Sequence, residues 1–137
     1  MKESPIRVTL LQDLGDERGS SFSVVAKQIE FLGSVLDIHI AMLRPGHLRG
    51  NHYHSEHREV IVIIYRDRWS LYWDTGADTQ IQQRQFNGNG AVLIEIDQLA
   101  SHAIKNEGLE DLYVFGLSNK QYDAQKPDTH HRPIVQI

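Results

Sequence analysis

The sequence predicts an all-β barrel or sandwich, and three observations carry that prediction. Short runs rich in β-branched and aromatic residues follow one another along the chain. Turn signals separate them at intervals of roughly 8–12 residues, the spacing of sandwiches and barrels. Helical periodicity is confined to one short stretch, Ala26 to Leu32, where Val25, Ile29 and Leu32 recur on one face.

Taken in order, Ile6 to Leu11 is β-prone and precedes a polar turn from Asp13 to Ser20, and Phe22 to Val25 is a second candidate strand. Leu36 to Leu43 comes next and ends at Arg44-Pro45-Gly46, where proline and glycine mark a turn. Then come Asn51 to His54, the apolar run Glu59 to Tyr65, and Trp69 to Trp73, closed by Asp74-Thr75-Gly76. Gln80 to Phe86 alternates and stops at Asn87-Gly88-Asn89-Gly90, a strong turn signal. Ala91 to Ile96, His102 to Ile104 and Asp111 to Leu117 complete the set. The tail carries two prolines after Gln125 and is expected to run along the surface or add an edge strand.

The 137 residues fit one domain, with a tail over about 120–137, and suffice for a core without staples. A net charge of −4 gives no basic footprint for nucleic acid, so none is expected as a partner. With no cysteine, disulfides, thiolate zinc sites and cysteine nucleophiles are excluded. Met1 to Pro5 lacks the apolar run of a signal peptide. Val60 to Tyr65 falls far short of the ~20 apolar residues a membrane helix needs. A cytoplasmic protein with no membrane partner is the expectation.

Chemistry concentrates between Gly46 and Glu59. Residues two apart on a strand share a face, so His52 and His54 project together. A tight connection over Ser55 to Arg58 returns the chain and sets Glu59 at the start of the next strand, beside them. Two imidazoles and a carboxylate on one hairpin form a facial ligand set for a divalent transition metal, such as zinc, iron, manganese or nickel. His102, on a strand that can lie opposite, is the candidate for a fourth ligand. His39 shares a strand face with Asp37 and Ala41 and is a candidate for the barrel mouth, with a plain hydrogen-bonded histidine as the alternative. His57 and Glu56 are expected to be solvated at the hairpin tip, and Tyr53 to pack rather than react.

Gly46, His52, His54 and Glu59, in that order and spacing, resemble the first cupin motif; Gly90, His102 and Asn106 resemble the second. Together the two cover about residues 46–106. The resemblance implies a single domain with the double-stranded β-helix fold, the RmlC-like jelly-roll barrel, and His102 as the remaining metal ligand. Arg66 replaces the glycine that closes the first motif. Ile96 and Gln98 replace a proline and a glycine of the second, so a differently shaped turn is expected before His102.

Asp16-Glu17-Arg18-Gly19 and Arg49-Gly50-Asn51-His52-Tyr53-His54 are similar to segments of dTDP-sugar epimerases and ketoisomerases. They are closer still to the C-terminal cupin domain of the capsular polysaccharide reductase/epimerase, as are Leu117-Ser118-Asn119 and Lys126-Pro127-Asp128. This resemblance implies His52 as the base beside a ketone or as a ligand, Tyr122 as an acid, and Arg18 and Arg49 as diphosphate contacts. It also implies a homodimer and a nucleotide-sugar ligand. Three functions stay open: a keto-sugar isomerase or epimerase, a metal-dependent dioxygenase or other small-molecule cupin enzyme, and a non-enzymatic sugar- or metal-binding module.

Overall fold

The computed structural model describes residues 4–76 and 79–136. Met1 to Glu3, within the segment read for a signal peptide, and the last residue of the tail lie outside the described residues. In chain order the elements are β1 (Ile6–Leu10), α1 (Ala26–Ile29) running into a 3-10 turn (Glu30–Leu32), β2 (Asp37–Leu43), β3 (Leu48–Tyr53), β4 (Glu59–Tyr65), β5 (Trp69–Asp74), β6 (Gln82–Phe86), β7 (Gly90–Ile96), β8 (Ser101–Asn106), β9 (Leu112–Ser118) and β10 (His130–His131). Two five-stranded antiparallel sheets result, ordered β1-β7-β4-β9-β2 and β10-β3-β8-β5-β6. Among the described residues no helix is long and apolar enough to cross a membrane.

Burial explains the strand patterns. β4 lies between β7 and β9, and both its faces are covered, which is why it reads as an unbroken apolar run. Ile61, Ile63 and Tyr65 point into the barrel with Trp69, Leu71, Val92 and Ile94. Val60 and Val62 face the other way and pack under Ile29, Phe31 and Leu32 of the helical segment. β6, on a sheet edge, exposes Gln82 to Gln85 and buries Phe86, which stacks on Trp69 at 4.4 Å between ring centres.

Three expectations change. β3 and β4 fall in different sheets and do not pair, so Ser55 to Arg58 crosses from one layer to the other instead of closing a hairpin. Phe22 to Val25 pairs with nothing; it is a connection, with Val24 and Val25 largely exposed and the Val25 N–H donating to Gln28 at the helix start. Without a neighbouring strand and a buried face, β propensity alone does not order a strand. β3 begins at Leu48, earlier than expected, and carries a bulge opposite β8 between Gly50 (φ 105°) and His52, with Asn51 at φ 58°.

The tail adds the edge strand β10, pairing His130 with Tyr53 and His131 with His52. Asn51 anchors the residues just past β10. Its Oδ1 accepts from the N–H groups of Ile134 (3.0 Å) and Val135 (3.1 Å), and its Nδ2 donates to the Val135 carbonyl at 2.9 Å. Arg132 Nη2 donates to the buried Asp74 Oδ2 at 2.7 Å. The tail is thus strapped across β3.

Candidate metal and ligand site

One end of the barrel interior is apolar, around Trp69 and Phe86; the other end is polar. β4 enters the polar end with Glu59, in phase with Ile61 and Ile63. β3 contributes His52, and His54 lies two residues later on the same side. β8 places His102 directly opposite His52 in the strand ladder. The ring centres of His52 lie 4.9 Å from His54 and 4.8 Å from His102, and His54 and His102 are 5.4 Å apart. The structure therefore brings together the four residues proposed as ligands. The altered turn before His102 still delivers it: Leu99 takes φ 67°, and its N–H donates to the His54 carbonyl at 2.7 Å.

Hydrogen bonds set the chemistry of these rings. His54 Nδ1 lies 2.8 Å from the Asp128 carbonyl oxygen and His102 Nδ1 lies 3.0 Å from that of Ala100. A carbonyl only accepts, so each Nδ1 carries the proton and each Nε2 presents a lone pair. Both Nε2 atoms are buried without a hydrogen-bond partner among the described residues. They lie 3.7 Å (His54) and 3.8 Å (His102) from the Glu59 carboxylate oxygens, too far for hydrogen bonds. Orphaned buried acceptors are costly. Two of them beside a carboxylate, each fixed from behind by a main-chain carbonyl, fit the donor set of a divalent transition metal and its outer shell.

Electrostatics agree with neutral rings. Burial and the neighbouring imidazoles push His52 down to about 4 and His102 down to about 3. Burial raises Glu59, with His54 opposing. Neutral imidazole is the form that coordinates metal.

These shifts set the pH dependence of the metal-free protein. Unfolded histidines protonate near 6.5, whereas folded His52 and His102 resist until about 4 and about 3. The unfolded state therefore binds more protons across that window, and stability is lost as pH falls through it. Glu59 works in the opposite direction, one carboxylate against two imidazoles. Unfolding free energies from urea titrations at pH 7 and pH 5 are expected to differ by roughly 1–3 kcal/mol in favour of pH 7; equal stability at the two would contradict the neutral buried pair.

His57 corrects the sequence reading. It is not solvated: its side chain is 12% exposed, Nδ1 lies 2.8 Å from Asp128 Oδ2, and its ring centre is 4.2 Å from that of His54. The tail folds back over the β3–β4 connection and supplies a buried acceptor, which spacing within that connection could not reveal. Glu56 is exposed as expected and pairs with Lys120. Tyr53 packs against His130 and stays out of the site. Asp128 itself was missed as a site residue. Its segment, Lys126-Pro127-Asp128, stood out for resemblance, but no spacing tied it to the histidines.

A cavity of about 480 Å³ opens over these residues and is also lined by His39, Arg49, Lys120, Tyr122 and Lys126. Arg49 is held there by its Nε donating to the Met42 carbonyl at 3.1 Å. The Tyr122 N–H donates to Asp37 Oδ2 at 2.9 Å, and its side chain is exposed at the mouth. Arg18 is elsewhere. It sits in the Asp16–Gly19 turn, 86% exposed, with its guanidinium on Asp16, and it is absent from the cavity lining.

A family model described as the polysaccharide biosynthesis C-terminal domain matches residues 14–130. The chain belongs to that family. It is 33% identical over 91 residues to a UDP-2-acetamido-2,6-beta-L-arabino-hexul-4-ose reductase of Pseudomonas aeruginosa, an alignment spanning 63% of this chain and 23% of that protein. The chain thus spans about a quarter of the curated relative. Its fold is that of the capsular polysaccharide assembling protein CapF of Staphylococcus aureus (TM-score 0.65, 21% identity, 90% of this chain and 33% of that one). It is also that of QdtA, a sugar 3,4-ketoisomerase of Thermoanaerobacterium thermosaccharolyticum solved with TDP (0.67, 18%, 91% and 86%). The dTDP-6-deoxy-D-glucose-3,5-epimerase RmlC of Legionella pneumophila, solved with dTDP-4-keto-L-rhamnose, shares it too (0.70, 19%, 92% and 72%). The fold is thus the RmlC-like double-stranded β-helix, built here of two antiparallel sheets.

Proposed function

We propose that this cupin binds one divalent transition metal through His52, His54, Glu59 and His102, and that its cavity takes a nucleotide-linked keto-sugar and moves a proton at the carbon beside the ketone. The observation that carries the metal is the pair of buried, partnerless Nε2 atoms of His54 and His102 facing the Glu59 carboxylate. The sugar reading is supported by relatives named for nucleotide-sugar chemistry and by the cationic side chains at the cavity.

A bound metal would supply Lewis-acid polarisation of the ketone oxygen. The chain's own residues do the rest. Arg49, Lys120 and Lys126 line the cavity and would supply positive charge to a diphosphate; Arg18 lies outside that lining in the single chain. His39 and Tyr122 line the same cavity, and in this reading Tyr122 returns the proton. His52 either holds the metal or acts as the base; its lone pair serves one role at a time. With a pKa of about 4 it is a neutral but weak base, better suited to coordination.

A homodimer belongs to the same proposal. Ile38, Ile40 and Met42 on the edge strand β2, with Tyr113 beside them on β9, expose an apolar face on the side opposite His39. An uncovered apolar edge of this kind invites pairing with a second copy.

Thermal-shift screening of metal-loaded protein with dTDP- and UDP-sugars tests the ligand. A bound nucleotide-sugar at about 100 times its Kd adds roughly 2.7 kcal/mol and raises Tm by several degrees. Arg49→Ala and Lys120→Ala are expected to weaken that response, and Arg18→Ala to leave it intact. Silence from every nucleotide-sugar, with normal metal content, would move the reading to an oxygenase or a binding module.

A further inference from the structure

The returning tail does more than close a sheet edge. Asp128 is buried, its side chain 2% exposed, and every oxygen it owns has a task. Its carbonyl accepts from His54 Nδ1 at 2.8 Å. Oδ1 accepts from the Ser55 N–H (3.0 Å) and Ser55 Oγ (2.8 Å), and lies 3.2 Å from His130 Nε2. Oδ2 accepts from the Glu56 N–H (2.7 Å) and from His57 Nδ1 (2.8 Å).

A buried carboxylate is tolerated when donors saturate it, and these do. Bonds to the amides of the β3–β4 connection would be enough to clamp the turn. What they do not explain is that the same residue also takes Nδ1 of two different imidazoles, both lining the cavity. In a neutral ring, donating Nδ1–H backward to Asp128 leaves Nε2 as the lone-pair nitrogen. The two rings lie only 31° from parallel, so they present that nitrogen from neighbouring, similarly oriented planes. The ligand atoms of His54, His57 and Glu59 all fall within 4.8 Å of one another.

We propose that Asp128 is a positioning residue of the site: its carbonyl and its carboxylate hold His54 and His57 in the Nδ1–H tautomer, and His57 thereby joins the residues that a bound ligand meets. A segment more than 70 residues away in sequence thus completes a site begun on the β3–β4 connection. The metal arm of the test rests on the proposed metal-binding reading; the tautomer arm does not.

Long-range ¹H–¹⁵N correlation spectra of the whole metal-free chain at neutral pH report the tautomer of each imidazole. Wild type is expected to show His54 and His57 as Nδ1–H. Asp128→Asn is expected to shift His57 toward Nε2–H and to leave His54 unchanged, because the carbonyl remains. Cobalt(II) titration of the same proteins is expected to show affinity weakened about 10–100-fold in Asp128→Asn, the usual cost of losing an outer-shell partner, with altered visible bands. A wild-type His57 in the Nε2–H form overturns the proposal without any variant, which covers the case of a substitution that does not fold. Unchanged tautomers and an unchanged cobalt spectrum in folded Asp128→Asn overturn it as well. If the tautomers match expectation and wild type binds no cobalt, the positioning role stands and the metal reading falls.

Discussion

Replacing His102 with alanine is expected to remove metal binding while leaving a folded barrel. Wild-type protein purified without chelator is expected to carry about one first-row metal per chain, as a single cluster of ligands implies. His102 is buried and partnerless at Nε2, so its loss takes a preorganised donor from the set. Losing an outer-shell partner already costs 10–100-fold, and losing a ligand is expected to exceed about 100-fold. The substitution also frees the Ala100 carbonyl that His102 Nδ1 satisfies and leaves a small void. The metal-free stability cost is therefore about 1–3 kcal/mol. Elemental analysis with melting curves, with and without added metal, separates the two effects. Wild type should melt higher with metal, and the variant should not respond. Full metal content in the variant would remove His102 from the ligand set, and a wild type that stays empty after metal addition would end the metal reading.

Gly50→Ala is expected to be the most damaging single-atom change in β3. Gly50 sits at the β3 bulge with φ 105°, where an L side chain is strained. A Cβ there would also stand 2.6 Å from the His102 carbonyl oxygen and 2.9 Å from Ala103 Cα. Those are backbone atoms of the paired strand, so no rotamer change relieves the contact, and β3 must move away from β8. A loss of at least about 3 kcal/mol is expected in chemical denaturation, together with weakened metal binding, because His52 and His102 face each other across that pairing. Gly46→Ala is the control: it too has positive φ, 79°, but nothing lies within 4 Å of its Cβ position, so about 1 kcal/mol is expected. Equal effects at the two positions would show that the approach of the strands at Gly50 is unimportant.

The same segment shows how much was legible beforehand. Period-two spacing set His52 and His54 on one face, and the apolar run after Glu59 announced a strand. These are local signals, and the fold honoured them. Phe22 to Val25 failed as a strand because strand formation needs a partner, which propensity does not supply. His57 was misplaced, and Asp128 passed over, for a related reason. Their bond joins positions 71 residues apart, and nothing in the spacing of either segment reports the other. The bulge at Gly50 and Asn51 is an intermediate case. The glycine was visible, but the close strand approach that demands it is a property of the sheet. Arg18 shows the reverse limit: an arginine–glycine pair marks a turn, and here the turn's own Asp16 takes the charge.

The interleaving of the two sheets bears on how the molecule forms. One sheet joins β1, β2 and β4 to β7 and β9; the other joins β3, β5 and β6 to β8 and β10. Ile6 pairs with Ile96 and Leu48 with Lys105, so neither layer can close until most of the chain has been made. Loop closure over such separations is paid before its contacts return anything, which makes folding slow for the chain's length. A break in the middle of the sequence would strip strands from both layers at once, leaving no half able to fold alone.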